Sequence, residues 1–236
     1  MSDDLEERAK RVVGRKAVDA YVRPGTCLGL GTGTTALYAI ERTGELVREG
    51  LEIGAVATSV RTEELCREHG IPLVAFGTVP IDLAIDGADE VAADWSLIKG
   101  GGGALFREKA IALAARTFVV IVTARKLVAR LGAFPLPIEV VPFSATFVAK
   151  ELEAMGARVT ARSRNGERFA TDNGNAILDC SFGEIAQPRE LDTAISRLHG
   201  VVCTGLFIDL TSRVLVAHEN GSVEELQSPA AGAIGT

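Results

Sequence analysis

Short apolar runs ending in glycine or aspartate alternate with amphipathic stretches through the first half of the chain. No other feature limits the fold as strongly. TCLGLG (26–31) reads as a buried strand and TTALYAIERTGELVREG as the helix that follows. LEIGAVA, IPLVAF, IDLAID (81–86) and TFVVIV (117–122) read as further strands, with RTEELCREHG and ALFREKAIALAAR as helices among them. Strands joined by crossover helices pair in parallel, so the expected fold is α/β with a Rossmann-like, doubly wound sheet. In such sheets ligands bind beyond the carboxyl ends of the strands. Stretches rich in glycine or aspartate at 31–35, 86–90 and 99–103 all follow strand-like segments, which predicts that they converge on a ligand.

The second half changes rhythm. LPIEVVPF, ARVTARS (turning at Asn165-Gly166), NAILDCSF and VVCTGLFIDL read as strands, with SATFVAKELEAMG and QPRELDTAISRLHG as helices. The order β-α-β-β-α-β is the ferredoxin-like pattern. The sequence therefore predicts a Rossmann-like domain from 1–131 and 208–236 and a smaller ferredoxin-like α+β domain at 132–207. SRVLVAHENG is a strand that could return to the first sheet, and the tail SPAAGAIGT reads as loose.

Composition narrows the partners. A net charge of −6 disfavours nucleic acid, whose phosphates demand a basic face, but leaves room for a small anionic ligand. No apolar run reaches the ~18 residues of a membrane span, and the charged start lacks the apolar core of a signal peptide. The reading is a cytoplasmic protein with no membrane partner. Cys27, Cys66, Cys180 and Cys203 lie far apart and read as buried small hydrophobes. His69, His199 and His218 are scattered too, so no metal site is expected.

Four stretches could carry chemistry, and each has a plainer reading. GLGTGTTA (29–36) is neither a dinucleotide fingerprint nor a Walker loop. It is a strand-to-helix turn whose backbone N–H groups suit a phosphate, or simply a tight turn with Thr35 as N-cap. IDGADE (85–90) sets Asp86 and Asp89 three residues apart, suiting acid/base work; alternatively Asp86 caps its own backbone and Glu90 is solvated. LIKGGGGALFREKA (97–110) joins Lys99 to Glu108 through four glycines. A lysine near an oxygen could stabilise an enolate while a carboxylate moves a proton. Otherwise Lys99 is a surface charge and Glu108 a partner in a helix ion pair. Lys126, in TARK, could hold a phosphate or lie solvated. TDNGN (171–175) has a hairpin-turn composition and asks for no functional explanation.

Taken together, GLGTGTTA, IDGADE, IKGGGGALFREK, FPLPIEVVPF and TDNGNAILD resemble, in order and spacing, the signature stretches of the type A ribose-5-phosphate isomerase family. The resemblance runs from the Tyr21-Val22 region to GLFIDL. It implies cofactor-free, metal-free interconversion of D-ribose 5-phosphate and D-ribulose 5-phosphate through an enediolate, in the non-oxidative pentose phosphate pathway. It places Glu108 on the proton acceptor, Asp86 and Asp89 on the carboxylates of ring opening, and Lys99 on the oxyanion stabiliser. The substrate-binding set it implies is Thr32, Gly33, Thr34, Thr35, Gly87, Ala88, Lys99, Gly100, Gly101 and Gly102, with Lys126 on the phosphate. It also implies a homodimer or homotetramer. Three positions depart from the pattern: Thr34 replaces a serine, Arg11 stands where some members carry a lysine, and Thr123 stands where an aspartate is common. Alternatives are an acyl-CoA transferase of a related α/β fold, or a sugar-phosphate-sensing regulator.

Overall fold

The computed structural model describes residues 2–227; the tail expected to be loose lies outside them. The chain divides into two units, Met1–Ala88 with Arg107–Lys126 and Leu210–Thr236, and Asp89–Phe106 with Leu127–Asp209.

The first unit holds a six-stranded sheet in the order Val223–Gln227, Arg213–Ala217, Ala115–Thr123, Ile81–Asp86, Cys27–Leu30, Gly54–Ala57. All neighbours run parallel except Val223–Gln227. Helices α1 (Ser2–Tyr21), α2 (Thr34–Arg48) and α3 (Val60–Glu68) belong to the same unit, and α4 (Leu105–Ala114) enters it from residue 107. Central strands covered on both faces must be apolar throughout. Val119, Val120 and Ile121 are accordingly shut away from solvent, and Val13, Ala17 and Val18 of α1 pack with Leu28, Leu30 and Ile85 in the main core. SRVLVAHENG does return to this sheet, beside Ala115–Thr123. IPLVAF does not form a strand. Only Leu73 bridges to Ala55, because Pro72, one residue earlier, has no N–H with which to extend a ladder.

The second unit contains an antiparallel sheet in the order Val201–Thr204, Leu136–Val140, Ala176–Ser181, Arg158–Ala161. In chain order this is 4-1-3-2, with α5 (Ala145–Ala154) and α6 (Pro188–Ser196) as the two crossovers, the ferredoxin-like arrangement. Leu136, Ile138 and Val140 point to the helix-covered core with Val148, Leu152 and Ile195. A second sheet, Leu206–Phe207, Leu97–Ile98, Glu90–Ala92 and Leu127–Val128, was not expected. It brings Asp89–Phe106 and residues 127–131 into this unit, so the units divide differently from the boundaries read at 131/132 and 207/208. Strands of two or three residues leave no periodicity to read. The run VVCTGLFIDL splits at Gly205, where a Cβ would lie 2.5 Å from the Lys99 carbonyl oxygen. Among the described residues no helix is long and apolar enough to cross a membrane.

Candidate active site

In the first unit the sequence-predicted residues lie at the carboxyl edge of the parallel sheet. Asp86 ends its strand and is 2% exposed. Its Oδ1 accepts from Gly87 N–H at 2.7 Å and Thr32 N–H at 3.2 Å. The bond to Gly87 is the self-capping turn of the plainer reading, but the bond to Thr32 ties the next loop to the same carboxylate. That loop passes close: a Cβ on Gly31 would collide with the Asp86 carboxylate and lie 2.7 Å from its Cα.

The Thr32 side chain is tied into a cluster of hydroxyls. Its hydroxyl donates to Ser59 Oγ at 2.8 Å, Ser59 donates to Thr62 Oγ1 at 3.0 Å, and Thr62 donates to the Gly31 carbonyl at 2.9 Å. The loop thus closes on itself through hydroxyls. Helix α2 begins at Thr34 with Gly33 as N-cap, which corrects the assignment of that role to Thr35, and no side chain caps it. Gly33 and Thr34 are exposed. Uncapped first-turn N–H groups need acceptors and carry the positive end of the helix dipole, which suits an anion. Lys126 ends the short 3₁₀ turn Ala124–Lys126 after the strand Ala115–Thr123. Thr123, 4% exposed, donates to Glu6 Oε1 of α1 at 2.8 Å, and Glu6 Oε2 lies 3.5 Å from Arg125 Nε. A carboxylate from α1 therefore stands beside Thr123. Arg11 lies over the Tyr38 ring at 5.2 Å. The Tyr38 hydroxyl donates to Glu7, and this bond holds the Glu7 carboxyl below its usual range. Glu108 sits in the first turn of α4 and is 4% exposed.

In the second unit, Lys99 is 2% exposed, which rules out the surface-charge reading. Its ammonium lies 5.4 Å from the Phe207 ring centre, and its N–H donates to the Gly205 carbonyl at 2.9 Å. The glycine run then turns tightly: Gly100 and Gly103 have φ of 100° and 87°, and Gly103 N–H returns to the Gly100 carbonyl at 3.0 Å. Gly101 N–H donates to Asp89 Oδ2 at 2.7 Å, so the carboxylate and the glycine loop fix one another. Asp86 and Asp89, three residues apart, are held by different units and different anchors.

Sequence reasoning missed two carboxylates here. Glu90 is buried, not solvated, and receives the N–H groups of Gly132 at 2.8 Å and Phe134 at 2.5 Å. Glu139 is fully buried, and its Oε1 accepts from Thr171 at 3.0 Å, Asn173 at 3.2 Å and Asn175 at 2.9 Å. TDNGN is therefore a turn whose polar side chains gather on one acid. A charged residue inside the apolar run LPIEVV was the available signal, since buried charges need partners. Among the described residues no group of three or more His, Cys, Asp or Glu could hold a metal ion.

The family model described as ribose 5-phosphate isomerase A (phosphoriboisomerase A) matches residues 54–221. Ribose-5-phosphate isomerase A of Sphingopyxis alaskensis is 48% identical over 209 residues, covering 88% of this chain and 91% of the relative. The chain belongs to the ribose 5-phosphate isomerase A family. Solved structures of that family agree in fold. Ribose 5-phosphate isomerase A from Methanocaldococcus jannaschii superposes with a TM-score of 0.89 at 38% identity, over 96% of this chain and 100% of that one. A D-ribose-5-phosphate isomerase in complex with phospho-erythronic acid gives 0.90 at 37% identity, over 94% and 98%. The family match includes Asp86, Asp89, Lys99, Glu108 and Lys126 but starts after the Thr32–Thr35 turn.

Proposed function

We infer that this chain is an aldose–ketose isomerase that interconverts D-ribose 5-phosphate and D-ribulose 5-phosphate in the non-oxidative pentose phosphate pathway. The observation that carries the mechanism is the burial of both Lys99 and Glu108, at the two ends of one glycine-rich segment. A carbon acid next to a carbonyl needs a positioned base and a stabilised oxyanion. Asp86 and Asp89 handle the hydroxyl proton as the furanose ring opens to the aldehyde. The Glu108 carboxylate then takes the proton from C2, and the C–H electron pair forms the C1–C2 double bond while negative charge moves to O1. The Lys99 ammonium faces that developing oxyanion. Glu108, now protonated, returns the proton to C1 while the O2 proton passes to O1, so that C1 becomes a hydroxymethyl group and C2 a ketone. The uncapped start of α2 (Gly33, Thr34, Thr35), with Lys126, receives the phosphate; Gly87, Ala88 and Gly100–Gly102 offer backbone to the sugar. Thr32 serves by holding the loop.

The same reading makes the enzyme a cytoplasmic homodimer or homotetramer that uses no metal. The regulator alternative is not favoured, since the family model and the relatives it resembles are ribose 5-phosphate isomerases. Ribose 5-phosphate turnover, followed by a coupled assay in excess chelator, tests the reaction. Glu108→Gln should lower kcat by about 10²–10⁴-fold while ribose 5-phosphate still binds in calorimetry. Near-normal turnover in that variant would remove Glu108 from the base role.

A further inference from the structure

The Gly100–Gly103 turn has no side chains with which to hold its own direction, and glycine has the most backbone freedom to lose on folding. Arg162, just beyond the strand Arg158–Ala161, supplies the hold. Its Nη1 donates to the Gly100 carbonyl at 2.8 Å and the Gly101 carbonyl at 3.2 Å. Its Nε and Nη2 donate to the two oxygens of Asp179 at 2.9 and 2.5 Å, and its side chain is only 13% exposed. The Phe169 ring packs 5.8 Å from the guanidinium and fills the space above Gly103, where a Cβ would lie 2.7 Å from Cε1.

A trans peptide points its carbonyl and the following N–H in opposite directions. Holding the Gly100 carbonyl on Arg162 turns the Gly101 N–H away, and that N–H is found on Asp89. Holding the Gly101 carbonyl turns the Gly102 N–H away from Arg162 in the same manner, on backbone that is exposed. We propose that Arg162, oriented by Asp179, is a positioning residue for the isomerisation: it sets the direction in which the glycine loop presents its N–H groups to the sugar and fixes Asp89 through Gly101. The proposal rests on the isomerase reading above. Lysine cannot take this place, because a point charge on a flexible stem cannot meet both carboxylate oxygens and both carbonyls from one plane.

The test measures kcat and KM for ribose 5-phosphate, together with amide exchange of the 99–104 segment, in wild type, Arg162→Ala, Arg162→Lys and Asp179→Asn. Arg162→Ala should lower kcat about 10–100-fold, the scale of a small misplacement near reacting atoms, with KM within about 3-fold. Exchange at 99–104 should quicken while the rest of the second unit keeps wild-type protection. Arg162→Lys should recover little of the activity. Millimolar guanidinium should restore part of the turnover of Arg162→Ala and leave wild type unchanged. Asp179→Asn keeps the side chain's shape, should fall between, and decides the matter if Arg162→Ala does not fold. Folded variants with wild-type kcat and unchanged exchange at 99–104 would overturn the proposal, as would a loss of melting temperature alone. An inactive wild-type protein would instead overturn the isomerase reading.

Discussion

The Thr32–Thr35 turn and the Gly100–Gly103 turn, both proposed to present backbone to the substrate, are held by opposite means. The first is secured from within, by neutral hydroxyls that pass one donor each from Thr32 to Ser59 to Thr62 and back to the Gly31 carbonyl. The second is secured from outside, by a guanidinium that is itself tied to a carboxylate. Losing one hydroxyl from a neutral chain leaves a single unsatisfied group, whereas losing one member of a partly buried ion pair leaves a charge without its partner. The threonine turn should therefore respond to substitution in graded steps and the glycine turn abruptly. In both, the turn itself is built of small residues, and partners that fix its geometry, Ser59 and Thr62 or Arg162, lie elsewhere in the sequence.

The harshest way to break the first turn is Gly31→Ala. Its methyl group would enter the Asp86 carboxylate and meet Asp86 backbone, which has no far end of a flexible chain to swing aside. A stability loss of about 1–3 kcal/mol is expected from overpacking, with turnover down roughly 10²-fold as Asp86 and Thr32 shift. Thermal melting and steady-state kinetics check both, and a variant with wild-type values would mean that Gly31 and Asp86 are not packed as described.

A finer test separates inward from outward threonines. Thr32→Val keeps the shape but removes the hydroxyl that feeds Ser59. It should cost about 1–3 kcal/mol in stability and raise KM, because the loop loses its hold. Thr34→Ala, on an exposed residue at the start of α2, should stay within about 0.5 kcal/mol of wild type and act on KM alone. If Thr34→Ala destabilised the protein and Thr32→Val did not, the distinction between the two turns would fail at its root.

The parts of this molecule that were legible in the sequence are those written in long periodic segments. TFVVIV is a nearly continuous apolar run because its strand is buried on both faces, and the β-α-β-β-α-β order after residue 132 follows from element lengths alone. What stayed hidden is cross-chain geometry. Nothing local in ARVTARS shows that Arg162 reaches glycines 62 and 61 positions earlier, or that Glu90 closes on Gly132. The small sheet of two- and three-residue strands escaped for lack of period, and IPLVAF misled because apolar content cannot show that Pro72 stops the ladder. Site residues were read as types at spacings. Their anchors, including Glu6 beside Thr123, required coordinates.

The smallest expected effect concerns what carries the first turn. Helix α2, which supplies its N–H groups, is fastened to α1 through Glu45. Both oxygens of Glu45 accept from Arg15 at 2.7 Å, and Arg42 adds a bond at 2.8 Å while also holding Asp19 at 2.7 Å. The Arg15 hydrogen bonds, followed by those of Arg42, hold the Glu45 carboxyl down to about 2. A folded value below the unfolded one means that the stabilisation is fully present above the ordinary carboxylate range and is lost as pH falls through about 2. The pair is about a third open to solvent, so the contribution is modest, under about 1 kcal/mol, and weakened by salt. Glu45→Gln should therefore cost little at neutral pH and flatten the loss of stability between about pH 4.5 and 2. Amide exchange at Thr34–Ala36 should rise in wild type over that window and be higher from the outset in the variant. Parallel acid curves for the two proteins would show that α2 is held by its apolar face alone, and that the hydroxyl chain at its start needs no support from α1.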